Sequence, residues 1–375
     1  MIDKKSGIPI AANGKPHRQL KKEQRFALVL CTLLCLGLFA TFLGDKAPVL
    51  NQSLGAKIIK GQVVDNVSAA VQERSSTSIA LPDVAYASPH YLVEQLTIET
   101  IASLDYASLF DLGSLLARQA IATSSNPEKL VAAVFPSAME VLAMLARDRD
   151  VDDYLESASD GNSSGSYYSE IAALAPRFRP LRTQFEAIYA AVYEVFSTQG
   201  RTLIPWQTSK EAMKYQGGVT LPGLSSRPRE ADYDYSHTYA LDIFFNSVRT
   251  LPLTGGRELG PTVFSVSDGI IIAADSSWRG GEELKSYKGG GITPKAGNGV
   301  IVFSPSEKRY YSYFHLHDVL VEPGNVIKAG QPIGHGGNTG ANAARPGHGE
   351  HVHVEIYDAA NAQFLRNRDI AAIIF

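Results

Sequence analysis

The stretch GHGEHVHVEI, residues 347–356, contains three histidines and two glutamates within ten positions. Side chains alternate along a β-strand, so HVHVEI would place His351, His353 and Glu355 on one face and three aliphatic side chains on the other. The aliphatic face predicts packing against a core. The polar face indicates either histidines that are solvent-facing or satisfied, or a metal site. One strand supplies too few groups to hold a metal ion, so further ligands must come from other segments.

The region around this stretch is rich in short β-type runs. From Leu203 onward the chain contains ALDIFF, TVFSV, GIIIAA, GVIVFS, YYSYFHL and HVHVEI, separated by Gly, Pro, Asn and Asp. Short apolar runs with turn residues between them predict an antiparallel β domain over residues 201–375. Seven of the nine histidines in the chain fall after residue 203, and this enrichment favours a chemical role.

Residues 90–200 have a different sequence pattern, in which apolar residues recur at helical spacing. A helical run is expected over about residues 127–147 with a break at Pro136, and another over 179–198. Between them, SASDGNSSGSYYS at 157–169 has the composition of an exposed loop. The sequence therefore predicts an α+β multidomain chain, in which a helical region precedes the β domain.

The N-terminal part of the chain predicts a membrane anchor. Residues 1–25 carry seven Lys/Arg and two acidic residues, a net charge of +5, and we expect them to form a basic cytoplasmic tail. Residues 26–44 carry no charge and match one bilayer crossing, which predicts a signal-anchor, with a cleaved signal peptide as the alternative. Residues 45–89 are expected to form a stalk or linker.

Charge and cysteine content narrow the function classes. The chain has a net charge of −3, so the part after the basic tail carries −8, which argues against a nucleic-acid partner. Both cysteines, Cys31 and Cys35, lie in the apolar segment. Any zinc in the exported body must therefore be bound by histidine and carboxylate side chains.

Two further segments offer such side chains. In YSHTYALDIFF, Asp242 lies within an apolar run five residues after His237, and a buried carboxylate needs a partner, either an arginine or a metal ion. In YFHLHDV, regular alternation would put His315 and His317 on the same strand face. Two imidazoles and one carboxylate are a common ligand set of catalytic zinc.

In their order along the chain, these segments resemble the lysostaphin/LytM-type zinc metallopeptidases, which cut peptide bonds in bacterial cell-wall peptidoglycan. The resemblance is carried by His237…Asp242, by YFHL at 313–316, by GNVIKAGQPIGHGGNTG at 324–340 and by HVHVEI at 351–356. It covers roughly residues 203–370. It implies a LytM/lysostaphin-like fold of the duplicated-hybrid-motif type in the β domain.

The resemblance also implies residue roles. His237, Asp242 and His353 would be the zinc ligands. His351 would be the general base for a zinc-activated water, and His315 would stabilise charge on the attacked carbonyl oxygen. The residues implied as substrate contacts are Tyr313, Asn338 and His348.

Glu355 would contact a ligand without binding zinc itself. Three features depart from the family pattern. Four residues, instead of the commoner three, separate His237 from Asp242. The segments 275–296 and 341–350 are longer than usual, and we expect them to rim the cleft. His317 is expected to be exposed, and His335 and His348 are expected to be solvated loop residues.

Together these observations predict a membrane-anchored zinc metalloendopeptidase that hydrolyses stem or cross-bridge peptide bonds in peptidoglycan. It would sit in the bacterial inner membrane with its C-terminal domain outside the cytoplasm. The alternatives are a non-hydrolytic LytM-like module that binds the wall or activates another hydrolase, and a zinc peptidase that acts on proteins. The helical region offers a surface for a protein partner or for self-association.

Overall fold

The computed structural model describes residues 87–158, 163–203, 233–244, 251–252 and 258–374. The predicted cytoplasmic tail, the signal-anchor and nearly all of the stalk lie outside these ranges. No helix within the ranges is both long and apolar enough to cross a membrane.

The predicted helical region is confirmed, and in the described chain it contains eight α-helices and one 3-10 turn. They are α1 (Pro89–Gln95), α2 (Ile98–Ser103), α3 (Tyr106–Thr123), α4 (Pro127–Ala132), α5 (Ala138–Leu145), α6 (Asp148–Ala158), α7 (Ser163–Phe178), the 3-10 turn (Arg179–Leu181) and α8 (Arg182–Thr198). The break expected at Pro136 separates α4 from α5.

Capping residues explain several of these boundaries. Ser137 and Glu140 form a reciprocal capping box at the start of α5, which satisfies two otherwise unpaired N–H groups. After α8, Gly200 adopts a φ of +69°, a left-handed conformation that suits glycine beyond a helix end. The loop expected at 157–169 is wrong in its second half, because α7 already begins at Ser163 and its apolar face packs into the core.

The β domain is antiparallel, as expected. The strands are β1 (Tyr233–Asp234), β2 (Leu241–Phe244), β3 (Leu251–Pro252), β4 (Glu258–Leu259), β5 (Thr262–Phe264), β6 (Gly269–Asp275), β7 (Asn298–Ser304), β8 (Arg309–Leu316), β9 (Asp318–Val319), β10 (Val326–Ile327), β11 (Pro332–His335), β12 (His351–Asp358) and β13 (Gln363–Phe364), and helix α9 (Asn367–Ile374) follows. The main sheet has the strand order β1-β2-β12-β8-β7-β6-β10, with β13 paired to β12. A second sheet has the order β5-β11-β9, and β3 pairs with β4.

The two faces of the main sheet pack against different partners. On one face, the aliphatic residues of β12 (Val352, Val354 and Ile356) are buried with residues of the small sheet and of α9. On the other face, Phe303 and Tyr310 share a core with the helical region. The histidines of β12 belong to this second face, because side chains alternate along the strand.

The helical region is joined closely to the sheet. In the helical layer, Gly113 of α3 lets α8 approach, since a Cβ there would lie 3.0 Å from the Cβ of Ala191. At the sheet, Arg182 donates to the Tyr357 hydroxyl (2.9 Å) and to the Ala359 carbonyl (3.1 Å). The helical region and the β domain, as far as the structure describes them, therefore belong to one compact unit.

Candidate metal centre

The three predicted ligands lie close together on the face of the main sheet that carries the β12 histidines. One ligand atom from each of His237, Asp242 and His353 can be chosen so that all three atoms lie within 4.8 Å of one another. Asp242 and His353 are cross-strand partners of β2 and β12, so the strand register places them side by side. His237 reaches the same point from the bend that precedes β2.

The Asp242 carboxylate links the two imidazoles. His353 Nδ1 lies 2.7 Å from Asp242 Oδ1, and His237 Nε2 lies 3.4 Å from Asp242 Oδ2. Asp242 is only 5% exposed, so its charge is largely removed from solvent. Burial opposes ionisation, but the hydrogen bonds from His237 and His353 outweigh it and hold the pKa of Asp242 well below its usual range.

Glu355 occupies the other side of the His353 ring. Its Oε1 lies 3.0 Å from His353 Nε2, as predicted for a carboxylate that contacts a ligand. Glu355 therefore contacts Nε2, and Nδ1 is the nitrogen that contacts Asp242. A carboxylate behind a histidine ligand fixes the orientation of the ring and raises its basicity.

The two carboxylates next to the His353 ring favour a positive charge at this position. Burial lowers the pKa of His353, but the hydrogen bonds to Asp242 and Glu355 outweigh it and raise the pKa to about 10. A proton on His353 then supplies the positive charge that two flanking carboxylates demand. Two imidazoles, one carboxylate and a supporting carboxylate form a donor set that fits Zn²⁺.

His315 reaches the site through a β-bulge. In the β7–β8 ladder Asn298 pairs with Leu316 and Gly299 with Phe314, so His315 is the extra residue. Its φ of +63° is left-handed, a strained backbone state for a residue with a Cβ. Regular alternation would place His315 with Tyr313 on the aliphatic face; instead, its ring centre lies 4.8 Å from that of His351.

Backbone carbonyls set the tautomers of the two remaining histidines. His315 Nδ1 lies 2.7 Å from the Thr339 carbonyl, and His351 Nδ1 lies 3.1 Å from the Gly349 carbonyl. A carbonyl can only accept, so each Nδ1 donates and each Nε2 carries a free lone pair. Burial, aided by neighbouring histidines, lowers the pKa of both rings, which favours their neutral forms.

The residues implied as substrate contacts divide into two groups. His348 is exposed, and its ring centre lies 6.2 Å from that of His351. Asn338 is also exposed and lies between Gly337, which bridges to His351, and Thr339, which holds His315. Their contact with substrate stays a prediction.

Tyr313 is not available for the implied contact. It is 2% exposed, lies in the aliphatic core, and its hydroxyl accepts a hydrogen bond from the Val266 N–H at 2.9 Å. The phenol faces away from the histidines because Tyr313 precedes the bulge and follows the regular alternation of β8. This correction removes Tyr313 from the site.

Two further expectations about histidines need correction. His315 and His317 do not share a strand face, because the bulge at His315 interrupts the alternation and β8 ends at Leu316. His335 is not a solvated loop residue. It lies in β11, and its Nδ1 is 2.7 Å from Asp318 Oδ1, a hydrogen bond that joins β11 to β9.

The two long segments near the site contact each other. The Asn342 N–H donates to the Glu282 carbonyl at 3.0 Å, and the Ala341 N–H donates to the Pro294 carbonyl at 2.9 Å. The guanidinium of Arg345 lies 3.7 Å from the Glu283 carboxylate. The segments 275–296 and 341–350 thus form one connected rim next to His348.

Two supporting residues, Phe244 and Thr339, were not predicted from the sequence. The Phe244 ring stacks on His351 with a centroid separation of 4.8 Å. The Thr339 hydroxyl donates to the Leu316 carbonyl at 2.7 Å and accepts from the Asn298 N–H at 2.9 Å, so it contacts both strands at one end of the bulge. A signal for Phe244 was its position two residues after Asp242, on the same face of β2.

Comparison with protein families identifies part of the β domain. Residues 256–364 match the model of Peptidase family M23. The matched range contains His315, His351 and His353, and it begins after His237 and Asp242.

A curated relative is the "Uncharacterized metalloprotease" of Buchnera aphidicola subsp. Baizongia pistaciae (strain Bp), 25% identical over 160 residues. The match covers 39% of this chain and 37% of the relative, so the chain spans little more than a third of the relative's length.

Among solved structures, the catalytic domain of the antimicrobial peptidase lysostaphin from Staphylococcus simulans is 20% identical. That match covers 44% of this chain and 98% of the other, with a TM-score of 0.26. A zinc containing peptidase from Vibrio cholerae is 24% identical, with 37% of each chain covered and a TM-score of 0.22. From the family match, residues 256–364 are a peptidase family M23 domain, as the lysostaphin/LytM-type motifs predicted.

Proposed function

We propose that this chain is a zinc metalloendopeptidase that hydrolyses peptide bonds in cell-wall peptidoglycan. The proposal depends above all on one observation: His237, Asp242 and His353 converge on one point, while two further histidines lie beside them. The family match supports a peptidase, and the order of the motifs supports peptidoglycan peptides as the substrate.

In this proposal His237, Asp242 and His353 hold the zinc ion. When bound, Zn²⁺ supplies Lewis-acid polarisation of the scissile carbonyl and makes water acidic enough to react near neutral pH. Glu355 keeps the His353 ring oriented through its contact with Nε2.

His351 acts as the general base. Its Nδ1–H is held by the Gly349 carbonyl, so Nε2 takes the proton from the attacking water and later returns it to the leaving amine. The Phe244 ring stacked on His351 restricts its rotation and excludes water from one side.

His315 acts on the carbonyl oxygen, with a condition that the tautomer imposes. Because its Nδ1 donates to Thr339, neutral His315 has no hydrogen to offer from Nε2. It can stabilise negative charge there only after it has taken up a proton. We therefore expect His351 and His315 to have unequal effects on catalysis.

Zinc binding and cleavage of peptidoglycan are tested with the full chain in detergent. Zinc content is measured by elemental analysis, and isolated peptidoglycan is digested, with the products identified by mass spectrometry. One zinc per chain with a newly exposed amine and carboxylate in stem or cross-bridge peptides supports the proposal. One zinc per chain without cleavage of any wall peptide would favour the binding or activator module, and cleavage of proteins alone would favour a protein-directed peptidase.

We also propose that residues 26–44 anchor the domain outside the cytoplasm at the inner membrane. The support comes from the sequence, where a basic flank of +5 precedes 19 uncharged residues. Cell fractionation of the full chain and of a chain lacking residues 1–44 tests this. Only the full chain should stay with the membrane after alkaline extraction; if both are released equally, the anchor is wrong.

A further inference from the structure

His237 is the most weakly supported of the three ligands. Its side chain is 56% exposed, against 7% for Asp242 and 14% for His353. The other two ligands lie in paired strands, whereas His237 lies in residues 235–240, a stretch without strand pairing that we name the His237 segment. Something outside the strands must therefore fix His237.

Asn367 is one such support. It begins α9, and its side-chain Nδ2 donates to the carbonyls of Tyr235 (2.9 Å) and His237 (2.6 Å). Its backbone N–H donates to the Thr238 carbonyl at 3.0 Å. Three hydrogen bonds from one residue thus define the path of the backbone on both sides of the ligand.

Arg147 is the other support, and it comes from the helical region. It lies between α5 and α6, and its guanidinium carbon is 4.5 Å from the ring centre of Tyr239 and 5.3 Å from that of Phe364. Phe364 pairs with Tyr357 of β12, the strand that carries His353. One guanidinium therefore contacts both the His237 segment and the strand next to β12.

The contact between Arg147 and Tyr239 involves the unusual spacing between His237 and Asp242. Tyr239 belongs to the four residues between His237 and Asp242, where the resembled family commonly has three. It is 40% exposed, and its ring is the part of the His237 segment that Arg147 covers. The side chain of Arg147 is about one-third exposed (35%), so the cation–π contact is partly desolvated and stronger than a fully exposed one.

We propose that Asn367 and Arg147 are positioning residues for His237, so that the helical region raises the zinc affinity of a site to which it supplies no ligand. The inference rests on the proposed metal site. It predicts that zinc affinity depends on two residues that touch no ligand side chain.

The test measures the zinc affinity of the full chain in detergent by competition with a chromophoric chelator. Asn367→Asp keeps the size of the side chain but cannot donate to the two carbonyls, and an acidic residue at a helix start does not weaken the helix. We expect about a tenfold loss of zinc affinity, as for other supporting groups of a metal site. Arg147→Ala should cost about fivefold, the equivalent of one modest cation–π contact.

Matched variants separate positioning from general damage. Arg182→Ala removes another arginine from the same helix–sheet interface, but one that binds Tyr357 and Ala359, and it should leave zinc affinity within twofold. Tyr239→Phe keeps the ring and should retain the zinc affinity, whereas Tyr239→Ala should lose as much zinc affinity as Arg147→Ala. Because both substitutions remove the same contact, the double variant Arg147→Ala/Tyr239→Ala should lose no more zinc affinity than either single variant. The d–d spectrum of bound Co²⁺ should change in the Asn367 and Arg147 variants and not in Arg182→Ala.

The outcomes distinguish this inference from the proposed function. If the wild-type chain binds one zinc and both positioning variants keep its affinity and Co²⁺ spectrum, this inference fails and the proposed function stands. If Arg182→Ala loses as much affinity as Arg147→Ala, the effect is general destabilisation and the inference also fails. A wild-type chain that binds no zinc would overturn both.

Discussion

Strand β12 has two faces that impose opposite demands on the protein. Val352, Val354 and Ile356 are each at most 1% exposed and are stabilised by apolar burial alone. On the other face, the His353 ring lies between two carboxylates, Asp242 at 2.7 Å and Glu355 at 3.0 Å. The aliphatic face contributes to folding, whereas the polar face carries the side chains that we propose for metal binding and catalysis.

Exchanging one residue on each face of β12 should change zinc binding, activity and stability the most. His353→Ala removes a ligand, so zinc should be lost and kcat/KM should fall by at least about 10⁴-fold. Its neighbour Val354→Ala should lower the free energy of unfolding by about 2 kcal/mol and leave zinc content unchanged. Elemental analysis, turnover and urea unfolding measure the three quantities. Equal zinc loss in both variants would show that the faces are not separate.

The next prediction distinguishes the proposed ligand His353 from the proposed general base His351 on the polar face of β12. His351→Ala should lower kcat by about 10³-fold while one zinc remains bound, since general-base catalysis is typically worth 10²–10⁴. His315→Ala should also keep the metal and should lose a different amount of activity. Loss of zinc from His351→Ala would mean that the ligand and the base had been interchanged.

Chelation tests the polar face as a whole. An ion that binds only the folded state stabilises it by about 2.7 kcal/mol at a concentration 100 times its dissociation constant. Thermal unfolding with and without chelator should therefore show a lower Tm for the metal-free wild type, and no difference for His353→Ala. A chelator effect of the same size in His353→Ala would place the metal elsewhere.

Tyr313 tests the aliphatic face without changing its shape. Tyr313→Phe leaves the Val266 N–H without its 2.9 Å acceptor, at a cost of about 1–3 kcal/mol in unfolding free energy. Activity and zinc content should not change, because the phenol faces away from the histidines. A fall in kcat/KM at unchanged stability would return Tyr313 to the site.

The smallest effect concerns the interface between the helical region and the sheet. Burial raises the pKa of Glu186 above its ordinary 4.5, although Arg182 and the Tyr310 hydroxyl oppose this. An acid with a raised folded-state pKa contributes stability below its unfolded pKa that is lost as pH rises through the folded pKa. The wild type should therefore lose unfolding free energy above pH 4.5 relative to Glu186→Gln.

The exposed Glu194 on the same helix provides the control for this comparison. Urea unfolding from pH 4.5 to 7 should give Glu194→Gln the same pH dependence as the wild type. A parallel curve for Glu186→Gln would contradict the role of burial.

The sequence predicts much of the polar face because alternation is a local rule. The pairing of aliphatic and ionisable residues in HVHVEI is visible in six letters, and an acidic residue between Leu241 and Ile243 requires a partner. The motif resemblance then linked the two segments. In the helical region, Pro136 marked a real break for the same reason: it acts on its own neighbours.

The sequence could not predict features that depend on distant contacts or on broken alternation. The bulge at His315 depends on Thr339 and Ala296, whose carbonyls bind the ring and the backbone N–H of His315. Tyr313 was placed in the site because nothing local showed that the bulge follows it. The contact of Arg147 with Tyr239 joins residues 92 positions apart and has no pattern in either segment.

We propose that one zinc ion binds between three separate side chains on the polar face. The decisive measurement is anomalous diffraction at the zinc edge from crystals of the zinc-loaded protein. We predict one strong peak in bonding contact with His237, Asp242 and His353 Nδ1, with Glu355 still on the opposite nitrogen of His353. A peak held by His315, His348 and His351 instead, or no peak at all, would contradict it.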